Sequence, residues 1–449
     1  MTATLSEHSA QGDPASHSAP KPVGRALRRR TLNTPGTLRA LLAGLVLLSL
    51  AWGALGGWVA SQHSSAAGAL VTVDEPLSSD ARQMYESIAD ADVTITAAYL
   101  PSSQPPLSQL RHYQSDIQTA EGDLSALQAA GGGQAETTAL HAIANGLPVY
   151  AGDAATAESM YADGYPLTGG SFLQVASEEA HLVLLPNART VFTQENDALT
   201  AASGQATDLP TIIAALVLAV ITAVVLYRAQ RWLARRTNRV LSVGLALTSV
   251  LLVGSALWLT ASFLSARSDL DHAIGQGSGP AANLALADIG VQQIRGDAVL
   301  NVISRSGSAS FQDDFQSTSK QVGPGAGSLL SSAAATQGGG QGASLVTAAE
   351  REATAWYTAN NSVYSLGNAS QYAAERNAVI GTGASSAAGY SALDGDIRGA
   401  IQADEGVFTS AASSGQQTLD PLEAVVIVAS LLMALGCAWA FSRRLAEYR

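Results

Sequence analysis

"YRAQRWLARRTNRV", Tyr227 to Val240, places Arg228, Arg231, Arg235, Arg236 and Arg239 within twelve residues. The flanks of this basic run decide the fold. Before it lies "PTIIAALVLAVITAVVLY" (Pro210 to Tyr227), and after it "VLSVGLALTSVLLVGSALWLTASFLSA" (Val240 to Ala266), both apolar and uncharged. A helix needs about 20 apolar residues to cross a hydrocarbon core. Two more such stretches occur, "ALLAGLVLLSLAWGALGGWVA" (Ala40 to Ala60) and "PLEAVVIVASLLMALGCAWAFS" (Pro421 to Ser442), the latter charged only at Glu423. The chain therefore reads as a four-span membrane protein, with the arginine run as the hairpin between spans two and three.

Charge sets the expected orientation. Arginine and lysine in short loops stay on the cytoplasmic side. The first 39 residues hold Lys21, Arg25, Arg28, Arg29, Arg30 and Arg39, and the last seven hold Arg443, Arg444 and Arg449. Residues 62–209 carry 18 acidic and 3 basic side chains, and residues 266–420 carry 14 and 7. Both termini and the hairpin are thus expected in the cytoplasm and both long segments outside. The expected layout is a basic, disordered N-tail (1–39), span one (40–61), an external segment (62–209), span two (210–227), the hairpin (228–239), span three (240–265), a second external segment (266–420), span four (421–442) and a tail (443–449). The stretch "RALRRR" before span one also suits a signal peptide, but the apolar run is longer than the usual h-region and no small-x-small site closes it. An uncleaved anchor is expected.

Both external segments read as helical. Ala81, Met84, Ile88, Ala91, Ile95 and Ala98 recur at steps of three and four, as do Leu110, Tyr113, Ile117, Ala120, Leu124 and Leu127. That is a coiled-coil seam, with "LPSSQPPL" (100–107) as the turn. A third helix is expected over Gln134 to Ala162 and a fourth after "GYPLTGGS" (164–171), kinked at Pro186. Four such helices with short turns make an up-down-up-down bundle. The second half echoes the first: "WGALGGWVASQ" from Trp52 against "WLTASFLSARS" from Trp258, and "GGGQAETTALHAIANGLPVY" (131–150) against "GGGQGASLVTAAEREATAWY" (338–357). The expected fold is all-α: four transmembrane helices and two extracytoplasmic four-helix bundles from a tandem duplication.

Chemistry is sparse. No phosphate-binding GxxxxGK[ST], no HExxH and no kinase signature occurs, the seven histidines form no i,i+4 pair, and the lone Cys437 sits in span four. Neither an enzyme, nor a cofactor, nor a metal site is expected. Mid-membrane ionisable residues, the mark of a transport path, are also missing from the span cores. Nucleic-acid binding is excluded for the arginine run, since twelve residues tethered at both ends offer no folded reading surface. Two groups remain as candidate contacts. Asp90, Asp92 and Asp297 lie beside the apolar seams and could meet an external partner or ligand or set register. Arg228, Arg231, Trp232, Arg235, Arg236 and Arg239 could dock a cytoplasmic partner, anchor at the lipid interface, or act as topology signal alone. Seven span glycines (Gly44, Gly53, Gly56, Gly57, Gly244, Gly254, Gly436) permit close helix approach.

The stretch "GYPLTGGSFLQVASEEAHLVLLPNARTVF" (Gly164 to Phe192), with its G-x-P-x-x-G, A-S and L-L-P-x-A elements, and "SSDARQMYESIADAD" (Ser78 to Asp92) resemble actinobacterial four-span proteins of the GlnX type. The external layout also looks like the sensor half of chemoreceptors. The resemblance implies a relay from a glutamine-binding-type lipoprotein outside to the soluble serine/threonine protein kinase G inside. The second half lacks the G-x-P and L-L-P pattern, so a partner site resting on it is expected only in the first. No cytoplasmic output domain is expected from these segments, so a signalling role is expected to need another protein to read it. The alternative is a structural scaffold of the cell envelope without ligand. Oligomeric state is open, a homo-oligomer included.

Overall fold

The computed structural model describes residues 34–101, 105–237, 243–304, 309–323, 325–380 and 386–446. Among these, every element is helical: α1 Thr34–Ala69, α2 Glu75–Tyr99, α3 Leu107–Ala130, α4 Gln134–Ala162, α5 Pro166–Glu179, α6 Leu185–Ala206, α7 Leu209–Thr237, α8 Val243–Ala273, α9 Gly279–Ser304, α10 Ala309–Val322, α11 Leu329–Thr336, α12 Gln341–Asn368, α13 Tyr372–Ile380, α14 Ser386–Leu419 and α15 Leu422–Ala446. Four stretches are long and apolar enough to cross a membrane, within Arg39–Tyr99, Pro166–Arg235, Val243–Ile303 and Ser386–Ser442. Up to Thr237 the basic run is helical: α7 carries its helix through Arg228, Arg231, Arg235 and Arg236. Arginine is a good helix former, so no breaker stops the helix where hydrophobicity ends.

Three helix pairs are joined without a break by single π-helical turns, at Leu70–Asp74 (α1 to α2), Ala180–Leu184 (α5 to α6) and Ile274–Ser278 (α8 to α9). The kink expected at Pro186 is replaced by the second of these. Its widened turn ends just before the proline, whose missing N–H then falls in the first turn of α6.

The described residues form two compact bodies, one of 34–54, 217–237, 243–254 and 428–446, the other of those within 55–216 and 255–427. In the first, small residues set the helix crossings. A Cβ on Gly244 would lie 2.8 Å from the Gly436 carbonyl oxygen and from Ala440 Cβ, and one on Gly53 would collide with Ser430. Gln230 Nε2 donates to the Leu245 carbonyl and to Ser249 Oγ, both at 2.9 Å, joining α7 to α8. Gly44 and Gly254 face open space. Val220, Val250 and Leu435 are exposed, an apolar outside that lipid would cover.

In the second body, every residue of the first seam is buried, Ala81, Met84, Ile88, Ala91 and Ala98 completely. Leu110, Tyr113 and Ile117 of the second seam are half-buried and Ala120, Leu124 and Leu127 buried. The expectation of two bundles, each closed on itself, meets a different core: buried side chains from both 62–209 and 266–420 join one cluster. The reason is the width of the apolar face. On α2 the residues Ala89, Asp92, Val93, Thr96 and Tyr99 are buried besides the seam, and α9 is buried on nearly all sides from Ala287 to Asn301. A helix buried on more than one stripe needs more than one neighbour to cover it, and α2 and α9 cover each other.

One crossing shows how tight this packing is. Gly277, in the π turn before α9, would place a Cβ 2.8 Å from the backbone N and Cα of Phe408 on α14. Backbone cannot step aside as a side chain can. Gly277→Ala is expected to cost about 1–3 kcal/mol, the range for overpacking, whereas Gly395→Ala on α14, where the added methyl meets nothing, should be neutral or better. Equal melting points for the two variants would refute this crossing.

Candidate ligand pocket

Side chains on three helices of the second body, most of them polar, line an open cavity of about 310 Å³. α2 supplies Arg82, Gln83, Glu86, Ser87 and Asp90; α3 supplies His112, Asp116 and Thr119; α14 supplies Arg398, Ile401, Gln402 and Glu405. Spacings of three and four residues put each set on one helix face. The wall therefore draws on both halves of the chain, 62–209 and 266–420.

Ion pairs tie the walls together. Arg398 Nη2 donates to Asp90 Oδ2 at 3.0 Å, and its Nε lies 3.1 Å from Asp394 and 3.5 Å from Asp288. Arg82 bridges Glu86 on its own helix and Glu405 on α14. Asp288 is fully buried, with Gln292 Nε2 donating to it at 2.8 Å. Burial pushes its carboxyl well up, Asp394 adds to the push, and Arg398 pulls the other way. Burial opposes the charge on Arg398, but Asp288, Asp394 and Asp90 more than reverse this and hold it protonated. Burial, reinforced by Asp90, raises Asp116 to about 7 against the pull of His112 and Arg398. Carboxyls around the cavity outnumber the two guanidiniums, so the pocket favours a cationic or zwitterionic guest.

A second, drier cluster lies inside the body. His181, in the π turn after α5, places Nε2 3.3 Å from Asp92 Oδ2 and Nδ1 3.9 Å from Asp297 Oδ1. Ser177 Oγ donates to Asp92 at 2.8 Å. Burial works against the imidazolium, but the Asp92 hydrogen bond and the charges of Asp92, Asp297 and Asp314 push His181 up to about 9. Burial raises Asp297 to about 7, with His181 opposing.

The three aspartates singled out from sequence thus part company. Asp90 lines the cavity, while Asp92 and Asp297 face one another across His181, away from it. Residues two apart on a helix point to nearly opposite sides. His112, Asp116, His181 and Arg398 were missed. The His112/Asp116 pair did carry a signal, a ligand-type pair one turn apart. Of the arginine run, Arg228, Arg231 and Arg235 are exposed on one face of α7, Trp232 is half-buried, Arg236 lies on the same helix, and Arg239 falls outside the described residues.

Residues 66–204, which span α2 to α5, all but the last two residues of α6, and two walls of the cavity, match a known family model. That model is the actinobacterial sensor domain. The matched stretch ends before the second external segment, in line with the absence of the G-x-P and L-L-P elements there. No curated protein and no solved structure matches the chain. The similarity indicates a sensing or signalling role, and the four long apolar helices fit a multi-pass membrane protein.

Proposed function

We propose that this chain is a non-enzymatic membrane sensor and adaptor of the cell membrane. It passes an extracytoplasmic amino-acid signal, delivered by a solute-binding lipoprotein, to a cytoplasmic effector such as a serine/threonine kinase. The observation that carries the reading is mechanical. Cavity wall α2 continues through one π turn into α1, the helix that holds the first apolar stretch. A ligand or partner that shifts α2 against α14 acts directly on helices long enough to reach the other side of a membrane. π turns at Leu70–Asp74 and Ile274–Ser278, both joining a long apolar helix to an external one, support a tandem duplication of span, external segment and span. The test is affinity purification of the full chain from native membranes with amino acid in excess and depleted. A solute-binding protein and a kinase should co-purify, in amounts that differ between the two states. Recovery of envelope-assembly proteins alone would leave the scaffold reading.

Topology has its own check. Cysteines placed at Gly132 and Gly339 are expected to react with an impermeant thiol reagent in intact cells, and a cysteine after Arg449 only in lysed ones. Gly132 and Gly339 sit in glycine turns between external helices. Labelling of the tail in intact cells would reverse the assigned orientation.

A further inference from the structure

We propose that Asp90, His112 and Asp116 form a binding site for a first-row divalent transition cation, Zn²⁺ being the best match. His112 and Asp116 stand one turn apart on α3, and Asp90 faces them from α2. One donor atom from each residue lies within 4.8 Å of the other two. His112 Nε2 is 3.3 Å from Asp90 Oδ2 and 3.8 Å from Asp116 Oδ2. Hydrogen bonds would draw such atoms to about 2.7–3.2 Å. Two donors each about 2.1 Å from a shared tetrahedral ion stand about 3.4 Å apart. The observed separations bracket that value.

A second observation points the same way. Asp116 Oδ2 is buried and has no hydrogen-bond partner, and neither does the buried Glu86 Oε1 on the same cavity wall. A buried carboxylate oxygen without a donor is costly to keep, and a cation satisfies it. The donor chemistry narrows the class. An imidazole selects against Mg²⁺ and Ca²⁺, and the absence of thiolate selects against soft ions such as Cu⁺. The cavity beside the three ligands leaves the ion open on one side, so water or a small anionic guest can complete its shell. The inference goes beyond the sensing reading: it assigns the cavity a bound cation of its own, apart from the amino-acid signal.

The experiment is titration calorimetry of the full chain in nanodiscs with Zn²⁺ alone, repeated with Co²⁺ to read its visible absorption. One equivalent is expected, with a tetrahedral-type Co²⁺ band. His112→Gln and Asp116→Asn should each weaken binding at least tenfold, and His112→Gln should do so without lowering the melting point of the metal-free protein, since His112 is half exposed. Unchanged affinity in both variants, or no stoichiometric binding, overturns the site. So does Ca²⁺ binding of equal strength that survives His112→Gln. Calorimetry reads the site without any signalling partner. Normal Zn²⁺ binding by a chain that never responds to an external signal would therefore sink the sensing role and leave the metal site standing.

Discussion

Raising the pH from about 5.5 to 8.5 is expected to lower the melting temperature of the purified chain, because the interior holds protons that the unfolded chain would release. The sign follows from linkage: stability falls with pH wherever the folded state binds more protons. Asp297 has a folded value of about 7 against 3.8, so its contribution is largest in acid and is lost as pH rises from 3.8 to 7. Asp116, also about 7, and Asp123 and Asp404, each about 6, act in the same direction and for the same first cause, burial. His181, at about 9 against 6.5, stabilises fully below 6.5 and loses that contribution as pH passes through 9. At about 1.4 kcal/mol per unit, His181 alone accounts for up to about 3 kcal/mol. His181→Gln separates the two parts. It leaves Asp92 and Asp297 facing one another without a cation and should cost about 3–5 kcal/mol near neutrality, the range for breaking a buried pair. It should also flatten the profile between pH 6.5 and 9 while the acidic limb stays. A wild-type melting point that is flat or rises over the window would refute the protonated core.

Which parts of this molecule could be read from its sequence follows from which forces are local. Helix periodicity is local, so both seams and the Gln134–Ala162 helix were legible residue by residue. The end of α7 was not, because a run of arginines ends hydrophobicity without ending helicity. Nor was the shared core. Periodicity tells that Ala89, Val93 and Tyr99 favour burial but not whether α4 or α9 will bury them. The cavity combines Asp90 with Arg398, 308 positions away, and a single sequence contains nothing that pairs them. Polarity beside a seam was enough to flag Asp90, Asp92 and Asp297, but not to separate a cavity wall from a buried pair.

Arg398→Gln is expected to be the most damaging single change at the cavity. The guanidinium answers Asp90 on α2, Asp288 on α9 and Asp394 on its own helix α14. Its removal leaves Asp288, which is fully buried, facing Asp394 with no cation between them. Breaking a buried pair by taking away one partner costs about 3–5 kcal/mol. Because Arg398 is 38% exposed, water recovers part of that, and about 2–4 kcal/mol is the discounted expectation. Arg82→Gln should cost less, since its partner Glu405 is itself about one-third exposed. The decisive measurement is a double-mutant cycle by chemical denaturation. If the loss comes from an uncompensated Asp288, then Asp288→Asn in the Arg398→Gln background restores part of the stability, although Asp288→Asn alone lowers it. Strictly additive losses would mean that Arg398 stabilises by packing its stem and not by its charge. A second cycle, of Asp90→Asn with Arg398→Gln, bears on signalling. Asp90 stands at the cavity, and Arg398 links it to α14, whose last turn leads into α15 through two residues. A guest that takes the Asp90 carboxylate competes with Arg398 for it, so occupancy loosens the tie between α2 and α14 that the cycle measures. A sensor built this way should show a smaller Asp90–Arg398 coupling energy with ligand bound than without it.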